Sequence, residues 1–102
     1  MKIIYSDDAK LNLISIKKFI KLDNINSANK FISKLKFTIE ELDNFPYKYR
    51  KSIYFEDESI RDMIFNGYTI IYQIDKIQQQ IKILEIFNQN LPKLGINKNE
   101  NN

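Results

Sequence analysis

Residues 61–75, RDMIFNGYTIIYQID, decide the fold. Asn66 and Gly67 sit between two apolar runs, and a two-residue type I′ turn needs positive φ at both central positions, which Asn and Gly adopt at least cost. The stretch therefore predicts a hairpin of strands 61–65 and 68–75. Alternation along the second strand puts Tyr68, Ile70, Tyr72 and Ile74 on one face and Thr69, Ile71, Gln73 and Asp75 on the other. Downstream, a looser turn over 76–79 leads into a last strand from Gln80 to about Asn88. Upstream, 48–55 is a candidate strand, basic at its start (Lys48, Arg50, Lys51) and aromatic at its end (Tyr54, Phe55), followed by the acidic turn Glu56-Asp57-Glu58-Ser59.

Before Pro46 the period is helical. Lys2 to Tyr5 is a short apolar strand that meets Ser6-Asp7-Asp8-Ala9, a capping hydroxyl followed by acids in the first turn. Leu13, Ile16 and Ile20 then recur at helical spacing, and this helix is expected to end near Leu22. After the polar break Asp23-Asn24-Ile25-Asn26, with Asn26 or Ser27 as the next cap, Ala28, Phe31, Ile32, Leu35, Ile39 and Leu42 form a second apolar stripe. The residue before a proline disfavours helical torsions, so this helix must exit by Asn44-Phe45-Pro46. The order is strand, helical hairpin, then three or four strands: an α+β fold, β-α-α-β-β-β(-β), with the hairpin on one face of a small, mainly antiparallel sheet. The first strand must join beside a strand distant in sequence. Residues 1–92 are expected to form one domain and 93–102, Asn-rich and polar, a frayed tail.

The 102 residues carry 16 basic and 13 acidic side chains, a net charge of +3, and no Cys, His or Trp. Thiol nucleophiles, Ser-His-Asp triads, Cys/His zinc sites and histidine acid-base chemistry are thereby excluded. Any catalysis falls to Lys, Arg, Glu, Asp or Tyr, and no cofactor is implied. Only Arg50 and Arg61 are arginines, and a guanidinium offers a planar fork to phosphate or carboxylate that lysine lacks. No apolar run approaches a membrane span, and the expectation is a cytoplasmic protein with no membrane partner.

Arg50, Lys51 and Arg61 are expected close together on the sheet, with Lys48 beside them and Tyr47, Tyr49, Tyr54, Tyr68 and Tyr72 interleaved. Cations and rings on one surface suit a nucleic acid, the charge meeting phosphate and the rings meeting bases. Equally, the tyrosines are half-buried strand residues and the cations solvate the outer face. Metal-free RNA cleavage needs a base, a cation against the developing phosphoryl charge and an acid. Arg61 or Arg50 fits the cation; Lys51, Glu56, Glu58 or a tyrosine serves for proton transfer only with a substantially shifted pKa. Glu56, Asp57 and Glu58 read as a solvated turn rather than a metal site, since consecutive strand residues point to opposite faces. Leu13, Ile16 and Ile20 facing Phe31, Leu35 and Ile39 read as core, and as a partner-binding groove where part of that surface stays uncovered.

Together these features resemble the RelE/ParE superfamily of toxins from bacterial type II toxin-antitoxin modules, also called plasmid stabilisation proteins. The resemblance runs from Ile3 to about Pro92. It is carried by Ser6-x-x-Ala9 with Leu13, Ile16 and Ile20, by Ala28 and Phe31, and by Leu42-x-x-Phe45-Pro46 with Arg50 four residues on. Arg61 ahead of the Asn-Gly hairpin, Tyr68-x-Ile70-x-Tyr72 and Ile81-x-Ile83-Leu84-x-Ile86 complete it. It implies a toxin that arrests growth and is neutralised by a small cognate antitoxin. RelE-like members cleave mRNA on the ribosome; ParE-like members inhibit DNA gyrase. Arg61 falls where the RNases carry a strand arginine on the scissile phosphate, and Arg50 at the arginine of a Phe-Pro-x-x-Gly-Arg stretch typical of ParE-like members. Tyr49 stands in place of that glycine. The RNases tend to carry His, Tyr or Arg near the last strand, where this chain reads Phe87-Asn88-Gln89-Asn90-Leu91-Pro92.

The resemblance thus implies ParE-like inhibition of gyrase, with ribosome-dependent mRNA cleavage (a metal-independent mRNA interferase) as the alternative and a non-catalytic interaction module as the third reading. Arg61, Arg50 and Lys51 are the catalytic candidates if the chain is an RNase. Lys17, Lys18, Leu13, Ile20, Lys48 and Tyr68 are the candidates for binding antitoxin or target. The antitoxin is expected to lay an acidic segment on the hairpin and the open sheet, and both a homodimer and a toxin-antitoxin hetero-oligomer remain open.

Overall fold

The computed structural model of the chain describes residues 1–88. Its elements are β1 (Lys2–Tyr5), α1 (Asp7–Lys21), α2 (Ile25–Glu40), a 3-10 turn (Glu41–Asp43), β2 (Arg50–Lys51), β3 (Ile60–Phe65), β4 (Tyr68–Asp75) and β5 (Gln80–Asn88). The expected tail 93–102 and the last four residues of the expected domain lie outside the described residues.

The strands form one sheet in the order β1-β5-β4-β3-β2. β1 runs parallel to β5, Lys2 opposite Gln80 and Tyr5 opposite Ile83, which ties the start of the chain to its last strand. The remaining pairs are antiparallel. The central hairpin forms as its sequence dictates: Asn66 and Gly67 take φ values of 47° and 83°, and Phe65 faces Tyr68 across the turn. Ser6 caps α1, its Oγ accepting from the Ala9 N–H at 3.0 Å and donating to the Leu84 carbonyl at 2.8 Å, so one hydroxyl joins the helix start to β5.

Tyr68, Ile70, Tyr72 and Ile74 of β4 line the core with Met63, Ile81, Ile83 and Ile86, and Ala9, Ile16, Leu35 and Ile39 close it from the helices. Strict alternation on β5 would send Glu85 into this core after Ile81 and Ile83. A bulge prevents it: the register shifts between Ile71 and Tyr72, so Ile71 faces Glu85 while Tyr72 faces Ile83. One extra residue on β5 thus turns Glu85 to the far face and returns Ile86 to the core.

Three expectations are corrected. The strand expected over 48–55 is reduced to Arg50–Lys51, because its N–H groups find nearer acceptors. The Lys48 N–H turns back to the Phe45 carbonyl, the Ile53 N–H goes to the Asp62 carboxylate at 3.0 Å, and the Tyr54 N–H goes to the Ser52 hydroxyl at 3.1 Å. The cap of α2 is Asn24, two residues before Asn26, its Oδ1 accepting from the Ser27 N–H. Nor is the sheet face away from the helices bare at its centre. Thr69, Ile71 and Asp62 are buried there, and the Tyr54 ring meets Phe87 edge-on at 5.5 Å.

Ser6→Ala removes a cap and an interstrand tether together. It should cost about 1–2 kcal/mol in urea unfolding, against no loss for Ser15→Ala at an exposed position in the middle of α1, where Ala is the better helix former.

Candidate functional site

Register decides which cations meet. Lys51 stands opposite Arg61, which stands opposite Tyr72, while Arg50 stands opposite Asp62, itself opposite Ile71. Neighbouring strand positions project to opposite faces. The three candidates that the sequence groups together are therefore divided: Lys51 and Arg61 lie on the helix side of the sheet edge, Arg50 on the other. Arg50 Nη2 pairs at 3.4 Å with Oδ2 of Asp62, whose side chain is fully buried. The same Oδ2 accepts the Ile53 N–H, fastening the 52–59 loop to β3. Two buried oxygens on this face, Asp62 Oδ1 and Thr69 Oγ1, have no hydrogen-bond partner.

Arg61 is fixed by neutral groups. Its Nε donates to the Glu58 carbonyl and its Nη1 to the Tyr49 carbonyl, both at 3.1 Å, and its guanidinium carbon lies 5.0 Å from the centre of the Tyr47 ring. Lys76, on the turn between β4 and β5, brings its Nζ to 5.3 Å from the same ring. These groups line an open cleft of about 620 Å³ with Glu58, Gln73 and Asp75. Its wall is the chain leaving the helical hairpin, held where the Tyr72 hydroxyl donates to the Pro46 carbonyl at 2.6 Å.

Two titratable groups beside Arg61 are shifted in opposite directions. Glu58 is exposed, and its hydrogen bond and ion pair with Lys51, at 2.6 Å, hold its carboxyl below the usual range. Burial pushes the Tyr72 hydroxyl above the ordinary tyrosine value, against an opposing pull from the Arg61 charge. Asp57, held low by accepting from the hydroxyl and N–H of Ser59, closes the acidic turn on itself. Among the described residues no cluster of three acidic side chains gathers to hold a metal ion.

The binding candidates separate as well. Lys17 and Lys18 are exposed on α1, and Leu13 and Ile20 pack partly buried against the core. Lys48 is exposed, 5.4 Å from the centre of the Tyr49 ring. Tyr68 is 7% exposed and its ring lies 5.3 Å from that of Phe31, so it is a core element rather than a surface contact. Sequence reasoning missed Lys76 and the special place of Tyr47. Only the topology brings the β4–β5 turn beside 46–47, and no local pattern announces it. Asp62 carried a signal: a lone acid alternating with Ile60 and Ile64 on one strand face.

A family model described as ParE toxin of type II toxin-antitoxin system, parDE, matches residues 3–90. Among solved structures, one titled "Chromosomal ParDE TA system from P. aeruginosa" superposes with a TM-score of 0.72 at 17% identity, over 86% of this chain and 95% of that one. At that identity the likeness establishes the shared fold, a helical hairpin on a five-stranded mixed sheet. No curated protein matches the chain. No helix among the described residues is long and apolar enough to cross a membrane.

Burial also pushes Tyr5 up to about 12, with the charge of Glu40 adding to it. Both tyrosines are held neutral by the fold, so their contribution is intact below the unfolded value of about 10 and is lost as pH rises toward the folded values. Tyr72→Phe should cost about 1 kcal/mol at pH 7 through the lost bond to Pro46, and should make the decline in urea midpoint above pH 10 shallower than in the parent.

Proposed function

The chain belongs to the ParE toxin family of type II toxin-antitoxin systems, and on that premise we propose that it arrests growth by inhibiting DNA gyrase and is neutralised by a cognate antitoxin. The observation that carries the choice of target is the protonation chemistry around Arg61. Metal-free RNA cleavage needs a base and an acid beside the phosphate-binding cation. Here one of the two cleft carboxylates, Glu58, is held low by Lys51 and the buried Tyr72 hydroxyl is held high, and the chain has no histidine to take their place. Arg61 is thus a fixed cation between a carboxyl held low and a hydroxyl held high, which suits binding better than cleavage.

The antitoxin surface we assign is the helical hairpin, where Lys17 and Lys18 stand among the exposed apolar residues Leu11, Ile14 and Leu22. An acidic amphipathic segment satisfies both its charge and its apolar stripe. Self-pairing through β2 is disfavoured, because that edge is two residues long and both are charged. A toxin-antitoxin hetero-oligomer is the assembly this favours, acting in the cytoplasm with residues 1–92 as one toxin domain.

Induction of the chain and of Arg61→Ala in cells, with mapping of mRNA ends and of reporter-plasmid supercoiling, tests the target. The expected result is intact mRNA, lost negative supercoiling and a DNA-damage response with the parent chain. Cuts inside translated codons that vanish with Arg61→Ala would instead establish ribosome-dependent cleavage.

A further inference from the structure

The outer face of α2 takes no part in the core or in the α1 surface assigned to the antitoxin. Asn26, Lys30, Ser33 and Phe37 follow one another at spacings of four, three and four residues, which sets them on one line along the helix. Phe37 stands about two and a half turns after Ala28. Ala28 is fully buried, so the Phe37 ring points straight away from the core, and it is 68% exposed. Lys34 and Lys36 flank the line, and Asn29, Lys30, Ser33 and Lys34 form a shallow depression of about 530 Å³. The three lysines are exposed, and none enters an ion pair among the described residues. No acid lies between Ile25 and Ile39; Asp23 precedes the Asn24 cap, and Glu40 and Glu41 follow Phe37. With no acid in its first turn, α2 adds the positive end of its dipole to the lysines.

We propose that this face binds single-stranded nucleic acid, with backbone phosphates at Lys30 and Lys34 and an unpaired base stacked on Phe37. Lys30 and Lys34 are about 6 Å apart along the helix axis, far enough to take separate phosphates, and the Asn29 amide and Ser33 hydroxyl supply hydrogen-bond donors beside them. The ring among the cations selects this occupant. A partner helix or a bilayer surface needs a stripe of apolar anchors, and here one ring stands among Asn, Ser and Lys. A duplex keeps its base faces inside the stack, whereas a single strand presents them to an aromatic side chain. An acidic peptide meets the charge but gives the ring no planar partner. The inference uses none of the residues around Arg61 and does not depend on gyrase being the target.

The purified full-length chain is titrated into fluorescein-labelled oligothymidylate at several salt concentrations, with the corresponding duplex and oligoglutamate as competitors. Binding should saturate and weaken with salt. Lys30→Gln and Lys34→Gln should each flatten the dependence of log affinity on log salt by about 0.7. Phe37→Ala should weaken binding about tenfold and leave that slope unchanged. Lys82→Gln, on β5, should alter neither. All four positions are exposed, so the variants keep the fold, which circular dichroism checks. No binding by the parent chain, an unchanged affinity in Phe37→Ala, a slope flattened as much by Lys82→Gln as by Lys30→Gln, or displacement of the strand by the duplex or by oligoglutamate at equal charge would each overturn the proposal.

Discussion

The Tyr72 hydroxyl spans the edge of the core to the carbonyl of Pro46, and the geometry of the cleft follows from that one contact. Tyr72 lies on the central strand of the sheet and is fully buried. By gripping the chain at Pro46 it fixes where the segment from the helical hairpin returns to the sheet. The Tyr47 ring, the Tyr49 carbonyl and the start of β2 are then all placed, and Arg61 is held by the first two. A buried phenol without a partner is costly, and so is a buried carbonyl; each removes the cost of the other. The core and the site are therefore not separable parts.

On the far face Asp62 performs the corresponding task for the next segment. It is buried, takes the Ile53 N–H and meets the Arg50 guanidinium. A buried carboxylate with one half-exposed cation partner contributes little net stability. Its effect is positional: it ends β2 after two residues and lays the 52–59 loop along β3. The same register that gives Asp62 to Arg50 leaves Arg61 with neutral partners, so one arginine is consumed by structure and the other remains available.

Much of the architecture was legible because its signals are local. Asn66 and Gly67 specify their turn by torsion, Ser6 its helix by capping, and the spacing of Leu35, Ile39 and Leu42 its buried face. The order of elements then required β1 to join a distant strand, as it does beside β5. The site was less legible because it is made of long-range relations. That Lys51, rather than Arg50, faces Arg61 depends on a register no turn sequence announces. That Lys76 reaches Tyr47 depends on the packing of a turn against a segment some thirty residues earlier. The shortened β2 was missed for a different reason: its pattern is strand-like, but side-chain acceptors at Ser52 and Asp62 take the N–H groups a longer ladder would use.

The picture is of a ParE family toxin whose Arg61 is fixed by two backbone carbonyls, beside a carboxyl held low and a hydroxyl held high. On the reading proposed above, such a site holds a partner rather than turning over RNA. The most direct measurement is ATP-dependent supercoiling of relaxed plasmid by purified gyrase with increasing amounts of this chain. Progressive loss of supercoiling, reversed by the antitoxin, is the predicted result. Supercoiling that proceeds unchanged at a large excess of folded toxin would contradict the account.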